Sequence, residues 1–282
     1  MVSKHKSIGV LAIDDGGYST VVIGKNGIMD SFPSVKSIYG SNRNLTTITG
    51  KHDYIIEYNS EKYVAGTLAK FDSALPIQWH GKSKAHVFFD LSVLLSVFLY
   101  GYIDNYIAVS VPIEQHNENE KKLRIDRLKG SHTMTVNGKS KTFYISDIIV
   151  VPESACAYWI NEPSGLTRWL DLGSRTVNFS STLNEDDSVR YIDVASGTFY
   201  KGIEALGNNF DATALADYVC GRLFAKGWEE NDSVNLLGGG ALNEELVSSI
   251  KKYFPNAKPL ELPVYSNCKG MYNLARYAFQ MD

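Results

Sequence analysis

The sequence has little excess charge and few cysteines. Its 28 Lys and Arg residues nearly balance 31 Asp and Glu residues, which leaves a net charge of -3 over 282 residues. A chain without a basic field does not attract nucleic acid by charge alone, so any contact with DNA is expected to need an intermediary. The three cysteines, Cys156, Cys220 and Cys268, have no CxxC spacing, which argues against a disulfide framework and a zinc site.

Long hydrophobic runs are also missing. The most apolar stretch, Val87 to Tyr102, contains Asp90 and is shorter than the roughly 20 residues of a membrane span, so it is predicted to be a buried helix. The first apolar run is broken by Asp14 and Asp15, which argues against an export signal. The six histidines show no HxxxH pairing. These features predict a globular, cytoplasmic protein that does not enter a membrane.

Predicted strands and helices alternate in two successive blocks. Hairpins are predicted around the Asn59-Ser60 and Asn137-Gly138 turns. A helix is predicted to open at Pro152, where the missing N–H is tolerated. Further helices are predicted in the segments "NENEKKLRIDRLKG", "TFYKGIEALG", "ATALADYVCGRLFAKGW", "ALNEELVSSIKKYF" and 269–279. This order is typical of an α/β protein with two related halves.

The most informative pattern is a repeated acidic turn, "LAIDDGGYSTVVIG" at 11–24 and "WLDLGSRTVNFSS" at 169–181. In each, Asp14 or Asp171 follows apolar residues and precedes a glycine turn. Glycine lets backbone N–H groups converge on an anion such as phosphate. A carboxylate beside phosphate becomes favourable when hydrated Mg²⁺ lies between them. Either turn alone also fits an ordinary hairpin, since Asp is common in turns; the repetition favours the phosphate interpretation.

Together with "VVPESACAYW", "NLLGGGALN" and "NCKGMYNLA", the two turns form an ordered set. This set resembles the ATPase superfamily of actin, hexokinase and the heat-shock chaperones. Within it, nearly the whole chain is most similar to the bacterial plasmid-segregating actins of the ParM and AlfA type. The resemblance implies an actin-like, ribonuclease H-like α/β fold, with two related halves around a nucleotide cleft.

The resemblance also implies a domain plan. Residues 1–152 would form domain I, with a small insertion, subdomain IB, at about 30–85. Residues 153–268 would form domain II, and a helix at 269–282 would return to domain I. Only 238 − 173 = 65 positions separate Gly173 from Gly238. This span is short for the lobe called subdomain IIB, which is therefore expected to be reduced or absent, as in the AlfA type.

Functional roles follow from the resemblance residue by residue. Asp14 and Asp171 would face hydrated Mg²⁺, and Glu153 would orient or deprotonate the attacking water; these three form the predicted catalytic set. Without the other motifs, the better interpretation of Glu153 is a residue at a helix N-terminus, favoured there by the macrodipole. Lys201 and Glu204 would lie on the helix that in relatives passes the base and ribose, although an exposed charged helix face fits them at least as well. The remaining nucleotide contacts would be Asp15, Gly16, Gly17, Tyr18 and Ser19 in the first turn, Gly173, Ser174, Arg175 and Thr176 in the second, and Gly238, Gly239 and Gly240 in an adenosine loop.

Two positions depart from the pattern. Val21 stands where relatives often have a phosphate-contacting lysine, and Asn178 where an aspartate often closes the second turn. Arg175 is our hypothesis for the replacement positive charge.

The function implied is a filament-forming ATPase that uses Mg²⁺ with ATP or GTP. Its partners would be further copies of itself in a helical filament and a centromere-binding adaptor of the ParR or AlfB kind. Plasmid DNA would be bound only indirectly, in the bacterial cytoplasm. Two alternatives remain open: a small-molecule kinase on the same fold, for which no additional Asp base is evident, and a filament protein for cell shape or division.

Overall fold

The computed structural model describes residues 8–40, 48, 50–72, 83–185, 188–204 and 210–281. The chain divides into two compact units. The first comprises Met1–Val109, Glu118–Val150 and Ala275–Asp282, and the second comprises Ser110–Asn117 and Val151–Leu274.

The first unit is built on a nine-stranded sheet with strand order β3-β2-β1-β7-β9-β8-β5-β6-β4. Its strands are β1 (Ile8–Asp15), β2 (Ser19–Ile23), β3 (Met29–Pro33), β4 (Lys36–Ile38), β5 (Asp53–Tyr58), β6 (Glu61–Gly66), β7 (Asp104–Val111), β8 (Gly130–Val136) and β9 (Lys139–Pro152). Its helices are α1 (Thr67–Asp72), α2 (Val87–Tyr100) and α3 (Glu118–Leu128). Strand β1 pairs antiparallel with β2 and parallel with β7, which the chain reaches after α2.

Helix α2 forms where the long apolar stretch predicts one and is largely buried. It packs on β1 and β2, and its apolar side chains supply much of the core on that face of the sheet. Both predicted hairpin turns are confirmed: Asn59 and Ser60 have φ of 51° and 64°, and Asn137 and Gly138 have φ of 49° and 77°. These left-handed pairs match the twist of the flanking strands. In the described part of the chain, no helix is both long and apolar enough to cross a membrane.

The second unit has a smaller, six-stranded sheet that repeats part of the arrangement of the first. Its sheet has the order β12-β11-β10-β14-β15, with β13 also paired to β11. The strands are β10 (Gly165–Leu172), β11 (Val177–Glu185), β12 (Ser188–Tyr191), β13 (Gly197–Phe199), β14 (Val234–Leu237) and β15 (Lys258–Pro259), and the helices are α4 (Ala212–Phe224) and α5 (Glu244–Lys251). Helix α6 (Ser266–Phe279) begins in this unit, and its residues from Ala275 belong to the first. Strand β10 pairs antiparallel with β11 and parallel with β14, which follows α4. The β1–β2 and β10–β11 hairpins are therefore equivalent elements of the predicted two related halves.

The core of the second unit lies between its sheet and helices α4 and α5. It contains Leu170 from β10, Val219 and Leu223 from α4, and Leu246 and Ile250 from α5. Between the second acidic turn and residue 238, the described residues form β11, β12, β13, α4, β14 and short 3-10 turns.

Two helix predictions are wrong. Pro152 ends strand β9 instead of opening a helix: the Glu153 N–H donates to the Val111 carbonyl oxygen at 2.9 Å, and Ser154 has a left-handed φ of 67°. A 3-10 helix then covers Ala155–Ile160. The segment "TFYKGIEALG" begins in strand β13 because pairing with β11 overrides its helical pattern; its part at 205–207 lies outside the described residues.

Candidate functional site

The first acidic turn joins the antiparallel strands β1 and β2 at the carboxyl end of β1. Asp14 is half-buried and lies opposite Val21. A Cβ atom on Gly16 would lie 2.8 Å from the Ser19 carbonyl oxygen, so this tight turn requires glycine. Carboxyl ends of strands beside a parallel neighbour are where α/β sheets bind ligands, and the turn lies at such an end.

Side chains from the next segment hold the first turn in place. The Ser34 hydroxyl donates to the Gly16 carbonyl oxygen at 2.7 Å, and the Ser34 N–H donates to the Tyr18 carbonyl oxygen at 2.9 Å. The ammonium of Lys36, which is buried, donates to the Ser34 carbonyl oxygen at 2.8 Å. Lys36 therefore brings a positive charge close to the turn, a contact that the local sequence pattern does not indicate.

Asp15 lies beneath the first turn, and its side chain is fully buried. Its carboxylate accepts hydrogen bonds from Arg124 Nη2 at 2.6 Å and from Lys84 Nζ at 3.3 Å. Arg124 is also fully buried and lies 3.7 Å from Asp90. Asp15 was predicted to contact the nucleotide, but its carboxylate forms a buried ion pair. Only the backbone of Asp15 belongs to the turn.

The second acidic turn has the same local geometry as the first. The Gly173 N–H donates to the Thr176 carbonyl oxygen at 3.1 Å. A Cβ on Gly173 would lie 2.7 Å from that oxygen, matching the 2.8 Å between a Cβ on Gly16 and the Ser19 oxygen. The sequence repeat is therefore also a repeat of backbone structure.

The segment after β13 packs directly on the second turn. Ile203 N–H donates to the Gly173 carbonyl oxygen at 3.1 Å, and Glu204 N–H donates to the Ser174 carbonyl oxygen at 2.8 Å. The Glu204 carboxylate lies 4.0 Å from Arg175 Nε. Burial lowers the pKa of Arg175, although the Glu204 charge acts in the opposite direction. Glu204 is thus brought next to the predicted second turn.

Two predicted contacts, Tyr18 and Lys201, are exposed beside other side chains. Tyr18 is 61% exposed, and the Lys70 ammonium lies 6.0 Å from its ring centre. The Lys201 ammonium lies 5.2 Å from the ring centre of Tyr218. Neither residue is on a helix.

The predicted adenosine loop packs against the end of β10. Gly238 has φ of 80°, and a Cβ there would lie 2.3 Å from Asp171 Oδ1. A Cβ on Gly240 would lie 2.6 Å from Leu172 Cβ, whereas a Cβ on Gly239 would meet nothing within 4 Å. Gly238 and Gly240 are therefore required for the close packing, and Gly239 borders open space.

Glu153, the predicted catalytic carboxylate, is buried in the second unit. Its Oε2 accepts a hydrogen bond from Asn178 Nδ2 at 2.6 Å, and its Oε1 accepts one from the Ser110 hydroxyl at 3.4 Å. Asn178 lies on β11 directly opposite Asp171. The departure noted at Asn178 therefore falls at a residue that contacts Glu153.

A second amide holds Asp171. Asn267, on α6, donates from Nδ2 to Asp171 Oδ2 at 2.9 Å, and its Oδ1 accepts from the Ser154 N–H at 2.9 Å. Asn267 thus joins the second turn to the backbone that follows Glu153. Asn267 and Ser110 were not singled out from sequence; Asn267 lies in the quoted "NCKGMYNLA" motif, but its partner could not be read from the motif.

The second unit brings together Glu153, Asp171, the second glycine turn, Glu204 and the Gly238 loop. Two carboxylates beside a glycine-lined turn provide oxygen atoms and open backbone of the kind that suits hydrated Mg²⁺ and phosphate. Within the described ranges, no group of three or more His, Cys, Asp or Glu side chains could hold a metal directly. The predicted contact of Asp14 and Asp171 with the ion is through water and does not need such a group.

Comparisons with known proteins identify relatives across nearly the whole chain. The family described as "Actin like proteins N terminal domain" matches residues 12–155. No curated protein matches. Solved structures do: the archaeal actin homolog Ta0583 (17% identity, TM-score 0.76, covering 95% of this chain and 99% of that one) and apo psk41 ParM (16%, 0.75, 97% and 98%). The AlfA filament from B. subtilis plasmid pLS32 also matches (18%, 0.73, 93% and 97%). Ta0583 has also been solved with ADP and the AlfA filament with AMPPNP.

Proposed function

The chain belongs to the actin-like protein family, and on this premise we propose that it is a nucleotide-dependent, filament-forming ATPase that segregates plasmid DNA through a DNA-binding adaptor. The observation that carries the proposal is the repeated acidic glycine turn, with Glu153 held beside the second copy. The actin-like fold alone would not define the activity, because one fold hosts many functions. The ADP complex of Ta0583 and the AMPPNP-bound AlfA filament support nucleotide binding in related proteins.

The nucleotide is ATP or GTP, bound with Mg²⁺. The first turn, with Gly16 and Ser19, binds the β- and γ-phosphates through its backbone N–H groups. The second turn, with Gly173 and Thr176, binds phosphate through its own backbone N–H groups. Asp14 and Asp171 would each hold water molecules of the ion's hydration shell. When bound, Mg²⁺ supplies charge neutralisation at the phosphates.

Glu153 orients the water that attacks the terminal phosphate and accepts its proton. Its burial is consistent with this role, because positioned charges act more strongly in a site with little water. The Asn178 amide occupies Oε2 and thereby limits rotation of the carboxylate. Little covalent chemistry is required of the protein in phosphoryl transfer beyond such positioning.

Filament formation follows from a heterologous contact, which generates an open helix when its rotation does not close a ring. The filament structure of AlfA, whose fold this chain shares, supports self-association. The net charge of -3 supports an adaptor between filament and DNA, since direct binding would favour a basic surface. Many adaptor copies on one DNA site would provide avidity for the filament.

The proposal is tested by electron microscopy and light scattering of the purified protein with Mg-ATP, with Mg-GTP and without nucleotide. We expect nucleotide-dependent filaments together with phosphate release. Absence of polymer with either nucleotide, combined with phosphorylation of a small metabolite, would establish the kinase alternative. A filament protein for cell shape or division would also form nucleotide-dependent filaments, but an adaptor would not recruit it to plasmid DNA.

Glu153→Ala separates binding from hydrolysis. Filaments should assemble and persist, while phosphate release falls by about 10²- to 10⁴-fold, the usual contribution of a general base. Glu185→Ala, an exposed residue at the end of β11, is the matched control and should release phosphate at the wild-type rate. Wild-type release by Glu153→Ala would remove Glu153 from the catalytic set.

A further inference from the structure

Asn178 and Glu153 form a buried, charge-assisted hydrogen bond. The donor Nδ2 lies 2.6 Å from Glu153 Oε2, and the two side chains are only 1% and 7% exposed. Hydrogen bonds to an ionised carboxylate are shorter and stronger than neutral ones. We propose that Asn178 is a positioning residue that aims the Glu153 carboxylate at the attacking water; this inference rests on the proposed hydrolytic function.

A relay of hydrogen bonds fixes which end of the Asn178 amide faces Glu153. The Thr198 hydroxyl donates to Asn178 Oδ1 at 2.6 Å, and the same hydroxyl oxygen accepts from the Glu114 N–H at 3.4 Å. Every donor in this series therefore points toward the carboxylate. A flipped amide would place Oδ1 against Glu153 Oε2, two acceptors without a proton between them.

Asn178 also connects an irregular segment to a rigid one. Glu153 follows the end of β9, and the next residue, Ser154, has a left-handed backbone, so Glu153 itself does not lie on a regular element. Asn178 lies on β11, opposite Asp171 in the β10–β11 ladder. The amide thus sets the position of the Glu153 carboxylate relative to Asp171. Catalytic groups need support of this kind to stay within about 0.5 Å of a productive position.

An amide suits this place because it donates without charge. An aspartate 2.6 Å from Glu153 would set two carboxylates against each other, and such pairs share a proton because both cannot easily ionise. A leucine of similar volume would fill the space but would leave Glu153 Oε2 without this donor. The carboxylate would then keep the Ser110 hydroxyl on Oε1 but lose the donor that fixes the position of Oε2.

The kinetic test compares Asn178→Leu with Asn184→Leu. Asn184 lies on the same strand, and its amide donates to the Glu162 carbonyl oxygen near the surface. For Asn178→Leu we expect kcat for phosphate release to fall about 10- to 100-fold, as for other groups that orient catalytic side chains, with KM within about twofold because no phosphate contact is lost. Asn184→Leu should keep both constants.

Thr198 provides a second, milder test that does not depend on Asn178→Leu folding. Thr198→Val removes the hydroxyl that orients the amide and should lower kcat about 3- to 10-fold, as expected from loss of one hydrogen bond. Thr198→Ser keeps the hydroxyl and should restore the wild-type rate. Equal rates in Thr198→Val, Thr198→Ser and wild type would count against the relay.

A spectroscopic test uses the nucleotide-free protein. In ¹⁵N-labelled wild type, the side-chain amide signal of Asn178, identified by its absence from Asn178→Leu, should shift and exchange faster with solvent in Glu153→Ala. The Glu185→Ala control should leave it in place. An Asn178 signal that does not respond to Glu153→Ala would overturn the positioning role.

The kinetic outcomes separate this inference from the proposed function. If Glu153→Ala loses phosphate release but Asn178→Leu keeps the wild-type kcat, only the positioning role is overturned. If Glu153→Ala keeps wild-type release, the proposed catalytic assignment fails and the positioning role fails with it.

Discussion

In the first acidic turn the residue after the aspartate is Asp15, whereas in the second it is Leu172. Both side chains are fully buried. Asp15 forms ion pairs with Arg124 and Lys84. Leu172 belongs to the apolar core of its unit and packs closely against Gly240, where a Cβ atom would lie 2.6 Å from Leu172 Cβ. One backbone geometry is therefore supported by an ion pair in one half and by hydrophobic packing in the other.

The difference predicts how each turn fails. A buried ion pair adds little net stability over apolar residues, because desolvation offsets the attraction, but removal of one partner leaves an uncompensated charge. Apolar packing loses stability roughly in proportion to the volume removed. The first turn should therefore be sensitive to single charge changes, and the second to changes of side-chain size.

The largest expected effect is that of Arg124→Met. It leaves the Asp15 carboxylate buried beside Lys84 without its shorter contact, and should lower the free energy of unfolding by about 3–5 kcal/mol. Urea denaturation of the nucleotide-free protein measures this. The control is Lys122→Met on the same helix, whose side chain is 73% exposed; it should change stability by less than about 0.5 kcal/mol. Similar losses in both variants would show that Asp15 does not depend on Arg124.

A second prediction converts the first turn to the chemistry of the second. The triple variant Asp15→Leu, Lys84→Met and Arg124→Met replaces the carboxylate and both of its cationic partners, and should be more stable than Arg124→Met alone by about 2 kcal/mol. Urea midpoints of the two variants provide the measurement. If the triple variant is the less stable one, the charged cluster contributes more than its apolar replacement, and the proposed difference between the turns is wrong.

A third prediction concerns the space beside the second turn. Gly238→Ala places a methyl group 2.3 Å from Asp171 Oδ1 at a φ of 80°, and should reduce stability by about 1–3 kcal/mol through strain and displacement of Asp171. Binding of a fluorescent ATP analogue should weaken as well. Gly239→Ala meets nothing within 4 Å and is the matched control, expected to match wild type in stability. If Gly238→Ala kept the stability and nucleotide affinity of the wild type, the loop would be able to move away from β10.

Arg175 gives a smaller effect on binding. If it replaces the positive charge missing at Val21, Arg175→Ala should weaken nucleotide affinity about tenfold, near the value of one charge-assisted hydrogen bond. Equilibrium titration with a fluorescent nucleotide measures this. Arg190→Ala, on the exposed strand β12, is the control. Unchanged affinity in Arg175→Ala would refute the hypothesis and would direct attention to Lys36.

Local patterns were enough to predict much of the fold and the repeated turns. The Asn59-Ser60 and Asn137-Gly138 hairpins, helix α2 and the two glycine turns each depend on neighbouring residues. Contacts between distant residues were not predictable: Arg124 lies 109 positions from Asp15, and nothing in either local pattern names the other. The same limit explains the errors at Pro152 and Gly197–Phe199, where pairing with β7 and β11 determined the backbone.

The smallest expected effect is a loss of stability in acid that belongs to the first unit. His132 lies at the end of α3, the helix that contains Arg124. Its Nε2 lies 2.8 Å from the Leu128 carbonyl oxygen. Burial lowers the pKa of His132 from its ordinary value of 6.5, against the opposing influence of the Leu128 carbonyl and Asp90. The folded protein therefore binds a proton less readily than the unfolded chain does. The contribution of His132 to the stability of the folded protein is complete above pH 6.5 and decreases as the pH falls below that value.

Over the first pH unit below that value, this loss should be at most about 1 kcal/mol. Urea midpoints measured across this range for wild type and His132→Gln provide the test, because glutamine can still donate to the Leu128 carbonyl but does not titrate. The pH dependence should be weaker in the variant. An identical dependence would assign the acid sensitivity to other groups, among them His86, whose pKa burial also lowers. A real effect would show that the first unit depends on a neutral imidazole at the end of α3, whereas the same helix supports the turn through the charge of Arg124.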